Sequence, residues 1–258
     1  MPGDRTMPHY KLVLLRHGES IWNRKNLFTG WADVALTRKG AEEASKAGNV
    51  LRKGGYDFDV VFTNLHKRSL KTVRIVLGAL GLGRIPVNKS WRLNERHYGA
   101  LIGLNKAETA RKYGEKQVLL WRRSYGIRPP ALSKNDNRYK AIVNSYRSVP
   151  VKCIPLSESL ADTYRRTVPY WKSDVMPAIR KGRKVLIVAS HNSLRSLVKH
   201  IDGISNKDIP KFTMPTGVPL VYEFDADMKP VRRYYLGNAA DIRKSLARIS
   251  AQGMPGKK

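Results

Sequence analysis

A histidine that follows a buried strand is the first residue of this sequence whose position indicates chemistry. Leu12 to Leu15 form a run of apolar residues, and Arg16, His17 and Gly18 follow directly. Such a run is typical of a buried β-strand, and in open α/β sheets ligands bind at the carboxyl ends of the strands. There a neutral imidazole can attack a phosphoryl group while an adjacent guanidinium neutralises the phosphate oxygens. We therefore predict that His17 is a nucleophile in phosphoryl transfer.

Further polar groups follow other elements of the chain. Arg68 falls in the first turn of a predicted helix, Glu95 lies in a charged and aromatic segment, and the turn Ser190-His191-Asn192 follows a second buried strand. Arginine suits bidentate contacts with phosphate, and a carboxylate beside it can move a proton to or from a substrate hydroxyl. No group of His, Cys, Asp or Glu has metal-ligand spacing. The sequence therefore predicts phosphoryl transfer without a metal.

The elements that must position these groups alternate between strand and helix. This order predicts an α/β fold, a three-layer sandwich with a mainly parallel central sheet. Thr37 is predicted to cap a helix that ends at Gly54 and Gly55. Residues 21–35 and 116–152 show no clear period and are predicted to be irregular, the second as a long excursion over the cleft. The catalytic candidates should then meet at one edge of the sheet.

The composition adds a strong basic excess. The chain of 258 residues has 49 Lys and Arg against 20 Asp and Glu, a net charge of +29. A small anionic substrate needs only a few of these, so the excess indicates a polyanion such as RNA or an anionic lipid surface, or else a solvated basic surface. No RNA-recognition motif or zinc-finger spacing accompanies the charge. An RNA or ribonucleoprotein partner would therefore be bound through phosphates, without sequence preference.

The remaining features concern domains and compartment. No apolar run is long enough to span a membrane, and Cys153 has no cysteine in the chain with which to pair. The first ten residues are too short and too polar for a secretory signal. These features predict an intracellular protein, cytoplasmic by default, with an organelle such as the mitochondrion left open. We expect a short extension at 1–9, one domain at 10–238 and a basic tail at 239–258.

Longer motifs extend the pattern around His17 and occur in a fixed order. They are LLRHGES (14–20) with Trp22 and Asn23, FTGW (28–31), WRLNERHYGAL (91–101), GLNKA (103–107), WRRS (121–124) and NSLR (192–195). Together they resemble the 2,3-bisphosphoglycerate-dependent phosphoglycerate mutases of the histidine phosphatase superfamily, from about Tyr10 to about Asn238. The resemblance implies that family's fold and a homo-oligomeric enzyme. Such an enzyme moves phosphate between the 2- and 3-hydroxyls of glycerate through a phosphohistidine, with 2,3-bisphosphoglycerate as the priming donor and no metal.

The resemblance also implies a role for each matched residue. His17 would carry the phosphoryl group, and Glu95 would act as general acid or base. The groups that bind the transferred phosphate would be Arg16, Asn23, Arg68 and the backbone at Thr29 and Gly30. The rest of the substrate would be held by Tyr98, Lys106, Arg122 and Arg123, with Asn192 completing the edge of the site.

One position departs from the family pattern. After the later strand the family has Ala-His-Gly-Asn, and its histidine is the second catalytic one, whereas this chain has Ala189-Ser190-His191-Asn192. A shift of one residue at a strand end turns a side chain to the opposite face. Either a local bulge brings His191 to the phosphate, or the site has lost a donor and with it about 100- to 1000-fold in rate. Two functions therefore stay open. One is the mutase, and the other is a catalytically degenerate mutase-fold protein that serves as a basic RNA-binding or ribonucleoprotein assembly component.

Overall fold

A six-stranded sheet forms the centre of the protein, in a computed structural model that describes residues 9–251. The strands are β1 (Tyr10–Arg16), β2 (Val60–Thr63), β3 (Val87–Lys89), β4 (Val185–Ala189), β5 (Pro219–Phe224) and β6 (Pro230–Tyr235). Their order is β3-β2-β4-β1-β5-β6. The first four strands in this order are parallel, and antiparallel pairing joins β5 to β1 and β6 to β5. The predicted mainly parallel sheet is thereby confirmed.

Helices cover both faces of this sheet. They are α1 (Ile21–Arg24), α2 (Arg38–Lys53), α3 (Lys67–Leu80), α4 (Lys106–Tyr113), α5 (Glu115–Arg123), α6 (Asn137–Ser145), α7 (Leu160–Tyr170), α8 (Met176–Arg180), α9 (His191–Ile201) and α10 (Ala239–Ala251). A π-helical turn, Trp171–Val175, joins α7 to α8. None of the helices in the described range is long and apolar enough to cross a membrane.

Alternation along β1 divides the core between the two faces, as the period of a strand requires. Leu12 and Leu14 pack with residues of α7, α8 and α9 on one side of the sheet. Val13 and Leu15 pack with α2 and α3 on the other side. The molecule therefore has the predicted three layers, and β1 lies between β4 and β5 with every one of these side chains buried.

The predicted N-cap of α2 is confirmed, because Thr37 Oγ1 accepts a hydrogen bond from the Gly40 backbone N–H at 2.9 Å. The two stretches predicted as irregular contain helices: α1 lies in 21–35, α6 lies in 116–152, and α5 lies there except for its first residue. The pattern of α5 and α6 is hidden because basic residues interrupt short apolar faces. Ser20 caps α1 and Asp136 caps α6, whereas α5 begins after Gly114 without a side-chain cap.

The loop after β1 packs backbone to backbone against the first turn of α2. A Cβ added to Gly40 would lie 2.0 Å from the Glu19 carbonyl oxygen, whereas one added to Gly78 in α3 would meet nothing within 4 Å. We expect Gly40→Ala to lower the free energy of unfolding by roughly 2 kcal/mol or more, because the backbone must separate. Gly78→Ala, the matched control, should raise it by about 0.5–1 kcal/mol. Urea unfolding of both variants measures this, and equal effects would contradict it.

Candidate active site

His17 follows the last residue of β1 and is fixed at the carboxyl edge of the sheet. Its backbone N–H donates to the Ala189 carbonyl of β4 at 3.1 Å. Its Nδ1 lies 2.8 Å from the Gly18 carbonyl oxygen, and its Nε2 lies 3.1 Å from Nε of Arg68. Because the guanidinium can only donate, Nε2 is the acceptor and Nδ1 carries the proton. The ring therefore presents an unprotonated Nε2 to the groups around it.

The surroundings of His17 keep its imidazole neutral. Burial lowers the pKa of His17 well below its ordinary value, and the positive charges of Arg68 and Arg16 lower it further. A neutral imidazole has the lone pair that nucleophilic attack requires. The ring is thus in its reactive protonation state across the physiological pH range.

Arg68 is held by two backbone carbonyls of the loop after α1. Its Nη1 donates to the Ala32 carbonyl at 2.9 Å and its Nη2 to the Gly30 carbonyl at 3.0 Å. Gly30 has a φ of +52°, a left-handed conformation that favours glycine. The backbone at Gly30, predicted from the resemblance to bind phosphate, positions Arg68 in this structure.

Glu95 lies in the segment after β3, and its carboxylate is anchored through one oxygen. Oε1 accepts hydrogen bonds from the Arg96 backbone N–H at 2.7 Å, from Asn192 Nδ2 at 2.8 Å and from the Asn192 backbone N–H at 3.2 Å. Oε2 has no hydrogen-bond partner among the described residues. The anchoring fixes the carboxylate and leaves Oε2 able to exchange a proton with a bound molecule.

One cavity collects most of the predicted residues. Its volume is about 50 Å³, and its walls are Arg16, His17, Asn23, Leu27, Thr29, Arg68, Glu95, Tyr98, Lys106, Arg122, Arg123, His191 and Ile249. Three predicted site residues are not in its walls. Gly30 holds Arg68, Asn192 holds Glu95, and Ser190 contacts neither of these groups.

The cavity is rich in buried positive charge and has one carboxylate, that of Glu95. Buried charges without partners are costly, and several donors in the walls are unpaired: Arg16 Nε, Arg123 Nη1 and Thr29 Oγ1 have no hydrogen-bond partner. A bound anion would satisfy them. Within residues 9–251, no group of three or more His, Cys, Asp and Glu side chains could hold a metal ion.

The pKa of Lys106 is lowered in this cavity. Burial lowers its pKa to about 7, and the positive charges of Arg122 and Arg16 contribute to the shift. Because the ammonium is charged only below this pKa, an anion is bound by one more positive group at low pH than at high pH. Sulfate is a suitable probe because its own charge is constant in this range.

We expect the affinity for sulfate to fall about tenfold or more between about pH 6 and about pH 8.5 as Lys106 loses its proton. Isothermal titration calorimetry with wild type and Lys106→Met measures it. The variant should bind weakly at every pH with little pH dependence. A wild type whose affinity is the same at both ends of the range would show that Lys106 does not contact the anion.

The side chains of Ser190 and His191 have different surroundings. Ser190 Oγ accepts a hydrogen bond from Asn64 Nδ2 at 3.0 Å, whereas His191 lines the cavity with its Nε2 3.0 Å from Thr213 Oγ1. The pairing of β1 with β4 is regular up to Ala189. His191 therefore reaches the cavity from the first turn of α9, without a bulge.

The imidazole of His191 brings no positive charge to the cavity. Burial lowers the pKa of His191 well below its ordinary value, and Arg16 is the largest of the positive charges that lower it further. The family pattern places a catalytic histidine one residue earlier, at the position of Ser190. A hydroxyl bonded to Asn64 cannot replace a charged donor there.

Two buried arginines that sequence reasoning missed support the walls from behind. Arg195 Nη1 donates to Asn192 Oδ1 at 2.9 Å and so orients the amide that holds Glu95. Arg96 Nη2 donates to the Arg122 carbonyl at 2.8 Å. Arg96 and Arg195 lie inside the motifs of the resemblance, but nothing in residue type or spacing indicates that they are fully buried.

The end of α10 also forms part of the cavity. Ile249 is 4% exposed, and its carbonyl oxygen lies 3.5 Å from Arg123 Nη2. The sequence predicts a short basic helix and then a tail in this region, and it assigns neither of them to the site. Residues 252–258 of that tail lie outside the described range.

The chain is similar in sequence and in fold to known proteins. Residues 12–145 match the family described as Histidine phosphatase superfamily (branch 1). A mycobacterial glucosyl-3-phosphoglycerate phosphatase in complex with VO3 is 21% identical, with a TM-score of 0.67 over 90% of this chain and 100% of that one. A putative alpha-ribazole-5'-P phosphatase from Escherichia coli is 19% identical, with a TM-score of 0.64 over 89% and 96%. At these identities the likeness concerns the fold, and the family match covers more than half of the chain. The chain belongs to branch 1 of the histidine phosphatase superfamily.

Proposed function

We propose that this protein transfers phosphoryl groups through a phosphohistidine at His17, as a mutase that interconverts 3-phosphoglycerate and 2-phosphoglycerate. One observation carries the proposal: the unprotonated Nε2 of His17 contacts Arg68 in a cavity lined with positive side chains. A nucleophile and a cationic wall are what transfer of a charged phosphoryl group requires.

The first chemical step follows from the atoms in place. Nε2 of His17 forms the bond to phosphorus as the bond from phosphorus to the substrate oxygen breaks. The proton stays on Nδ1, which donates a hydrogen bond to the Gly18 carbonyl. This hydrogen bond stabilises the positive charge that develops on the ring. Glu95, protonated for this step, gives a proton from Oε2 to the leaving oxygen. In the return step Oε2 takes a proton from the hydroxyl that attacks the phosphohistidine.

The cationic side chains beyond His17 favour a substrate with a second anionic group. Arg68 contacts His17, where the phosphoryl group would be transferred. Three more cations, those of Lys106, Arg122 and Arg123, line the same cavity. A phosphoglycerate carries a carboxylate as well as a phosphate. One protein of similar fold, a mycobacterial glucosyl-3-phosphoglycerate phosphatase, is named for a phosphorylated glycerate as well.

The unpaired donors of the cavity support 2,3-bisphosphoglycerate as the priming donor. The unpaired donors Arg16 Nε, Arg123 Nη1 and Thr29 Oγ1 would hold its anionic groups. When bound, this compound supplies the phosphoryl group that charges His17 before the first turnover. If water attacked the phosphohistidine instead of a substrate hydroxyl, the same site would act as a phosphatase.

Replacement of Glu95 tests the proton transfer. We expect Glu95→Gln to lower turnover of 3-phosphoglycerate by about 100- to 10,000-fold, because the amide cannot donate or accept the transferred proton. Hydrolysis of p-nitrophenyl phosphate should fall much less, because its leaving group departs without a proton. Glu108→Gln, at an exposed position of α4, is the control and should match wild type in both assays. Equal losses with both substrates would show that Glu95 has a structural role.

The assay for the function itself couples formation of 2-phosphoglycerate to enolase, with and without added 2,3-bisphosphoglycerate. Turnover that depends on the bisphosphate is the expected result. Release of inorganic phosphate without isomerisation would replace the mutase with a phosphatase. Absence of both reactions in protein that still binds phosphate would contradict phosphoryl transfer altogether.

A further inference from the structure

A second concavity, of about 610 Å³, lies at the outer edge of the sheet beside β3. It shares no wall residue with the cavity at His17. Phe62 and Tyr170 form its floor, and its sides come from β3, the π-helical turn and α8. The cations of its rim are Lys89, Arg92, Lys181 and Arg183. We call this concavity, defined by these four cations, the basic groove.

The basic groove has a net positive charge, with four cations and one carboxylate. All four of its cations are exposed, and none forms an ion pair with a carboxylate within the described range. The guanidinium of Arg92 lies 5.0 Å from the centre of the Trp91 ring. Asp174 is the one acidic residue among the groove residues, and its carboxylate accepts a hydrogen bond from the neighbouring Ser173 hydroxyl.

Some arginines elsewhere on the surface are neutralised by carboxylates. Asp162 pairs with both Arg128 and Arg165, and Glu158 pairs with Arg166. Like charges that face one another without a counter-charge repel, and a bound polyanion relieves that repulsion. The basic groove therefore presents part of the net charge of +29 to a partner in a concave surface.

We propose that the basic groove binds a single strand of nucleic acid through its phosphates. Its cations stand on long, exposed side chains, which suits the spaced charges of a polymer, whereas a site for one small anion would need buried, fixed donors. Its concave shape admits a strand but keeps a flat lipid bilayer away from the floor. Binding of this kind gains its free energy from the release of counterions and is independent of sequence.

Reversal of the groove charges is the test. The groove variant combines Lys89→Glu, Lys181→Glu and Arg183→Glu in the full chain. Its affinity for a fluorescein-labelled oligouridylate is measured by anisotropy over a series of salt concentrations. We expect at least about a tenfold loss of affinity near 0.1 M salt, and a slope of log K against log salt that is smaller by about 2. Thermal unfolding checks that the variant is folded, which its exposed positions favour.

The control variant changes the same residue types on the opposite face of the sheet. It combines Lys53→Glu on α2 with Lys71→Glu and Arg74→Glu on α3, all at exposed positions. Both triple variants have the same net charge, so they separate the position of the charge from its amount. We expect the control variant to bind oligouridylate within about threefold of wild type, since long-range attraction alone is largely screened at this salt concentration.

Three outcomes would overturn the proposal. Equal losses in the two variants would assign binding to net charge alone. Absence of salt-dependent binding by wild type would leave the groove without a nucleic-acid ligand. Binding to vesicles of phosphatidylserine and phosphatidylcholine, but to neither strand type, would assign the basic surface to a membrane. A deoxythymidylate oligomer of equal length shows whether the groove distinguishes RNA from DNA.

Discussion

His17→Asn is expected to abolish phosphoryl transfer, with a loss on the order of 10⁴-fold or more, because it removes the proposed nucleophile, Nε2 of His17. The asparagine amide can keep the hydrogen bond that Nδ1 of His17 donates to the Gly18 carbonyl, so the loss reports chemistry and not the collapse of the site. The coupled assay with enolase measures turnover. Labelling with radioactive 2,3-bisphosphoglycerate measures the acid-labile phosphoprotein, which the variant should not form.

His200→Asn is the matched control for this experiment. His200 lies in the last turn of α9 and contacts the Tyr164 hydroxyl at 3.0 Å, outside the cavity. The control should form the phosphoprotein as wild type does. A phosphoprotein that survives in His17→Asn would place the phosphoryl group on another residue and would contradict the proposed nucleophile.

Restoring the family arrangement after β4 is expected to raise turnover by about 100- to 1000-fold in the double variant Ser190→His/His191→Gly. The present site offers a hydroxyl at 190 and an uncharged imidazole at 191, so one charged donor to the transferred phosphoryl group is missing. A histidine at 190 that gains a proton from a bound phosphate would supply it. The coupled assay on both proteins gives the ratio directly.

Two further variants make this result interpretable. His191→Gly alone separates the loss of His191 from the gain at position 190 and should be no faster than wild type. Asn64→Ala added to the double variant makes room for the larger ring, because Asn64 Nδ2 now contacts Ser190 Oγ. If neither the double nor the triple variant is faster than His191→Gly, and all unfold at similar temperatures, Ser190 is not the cause of a slow reaction.

The parts of the fold that could be predicted are those where local pattern and tertiary structure agree. The apolar runs of β1 and β4 specify buried parallel strands, and their ends place His17 and the turn at Ser190 on one edge. Thr37 caps α2 because its side chain alone satisfies the local N–H. The ordered motifs led to the superfamily, whereas the mutase reaction remains a proposal.

The parts that could not be predicted depend on contacts between distant segments. Nothing local indicates that Ser190 contacts Asn64, since these residues meet only when β2 and β4 pair. The sequence pattern indicates an ordinary exposed cation on a helix at Arg195, yet this residue is fully buried and contacts Asn192. The charge excess predicted a polyanion, but only the structure shows where unpaired cations gather at β3.

The position of Ile249 affects how any binding constant of this protein must be interpreted. Ile249 lies in the wall of a cavity of about 50 Å³, with its carbonyl 3.5 Å from Arg123. We therefore expect that a phosphoglycerate binds when part of α10 moves away from the cavity. The observed Kd is then the intrinsic Kd divided by the fraction of molecules in which α10 has withdrawn. Solutes that favour the withdrawn helix therefore tighten apparent binding without contacting the ligand.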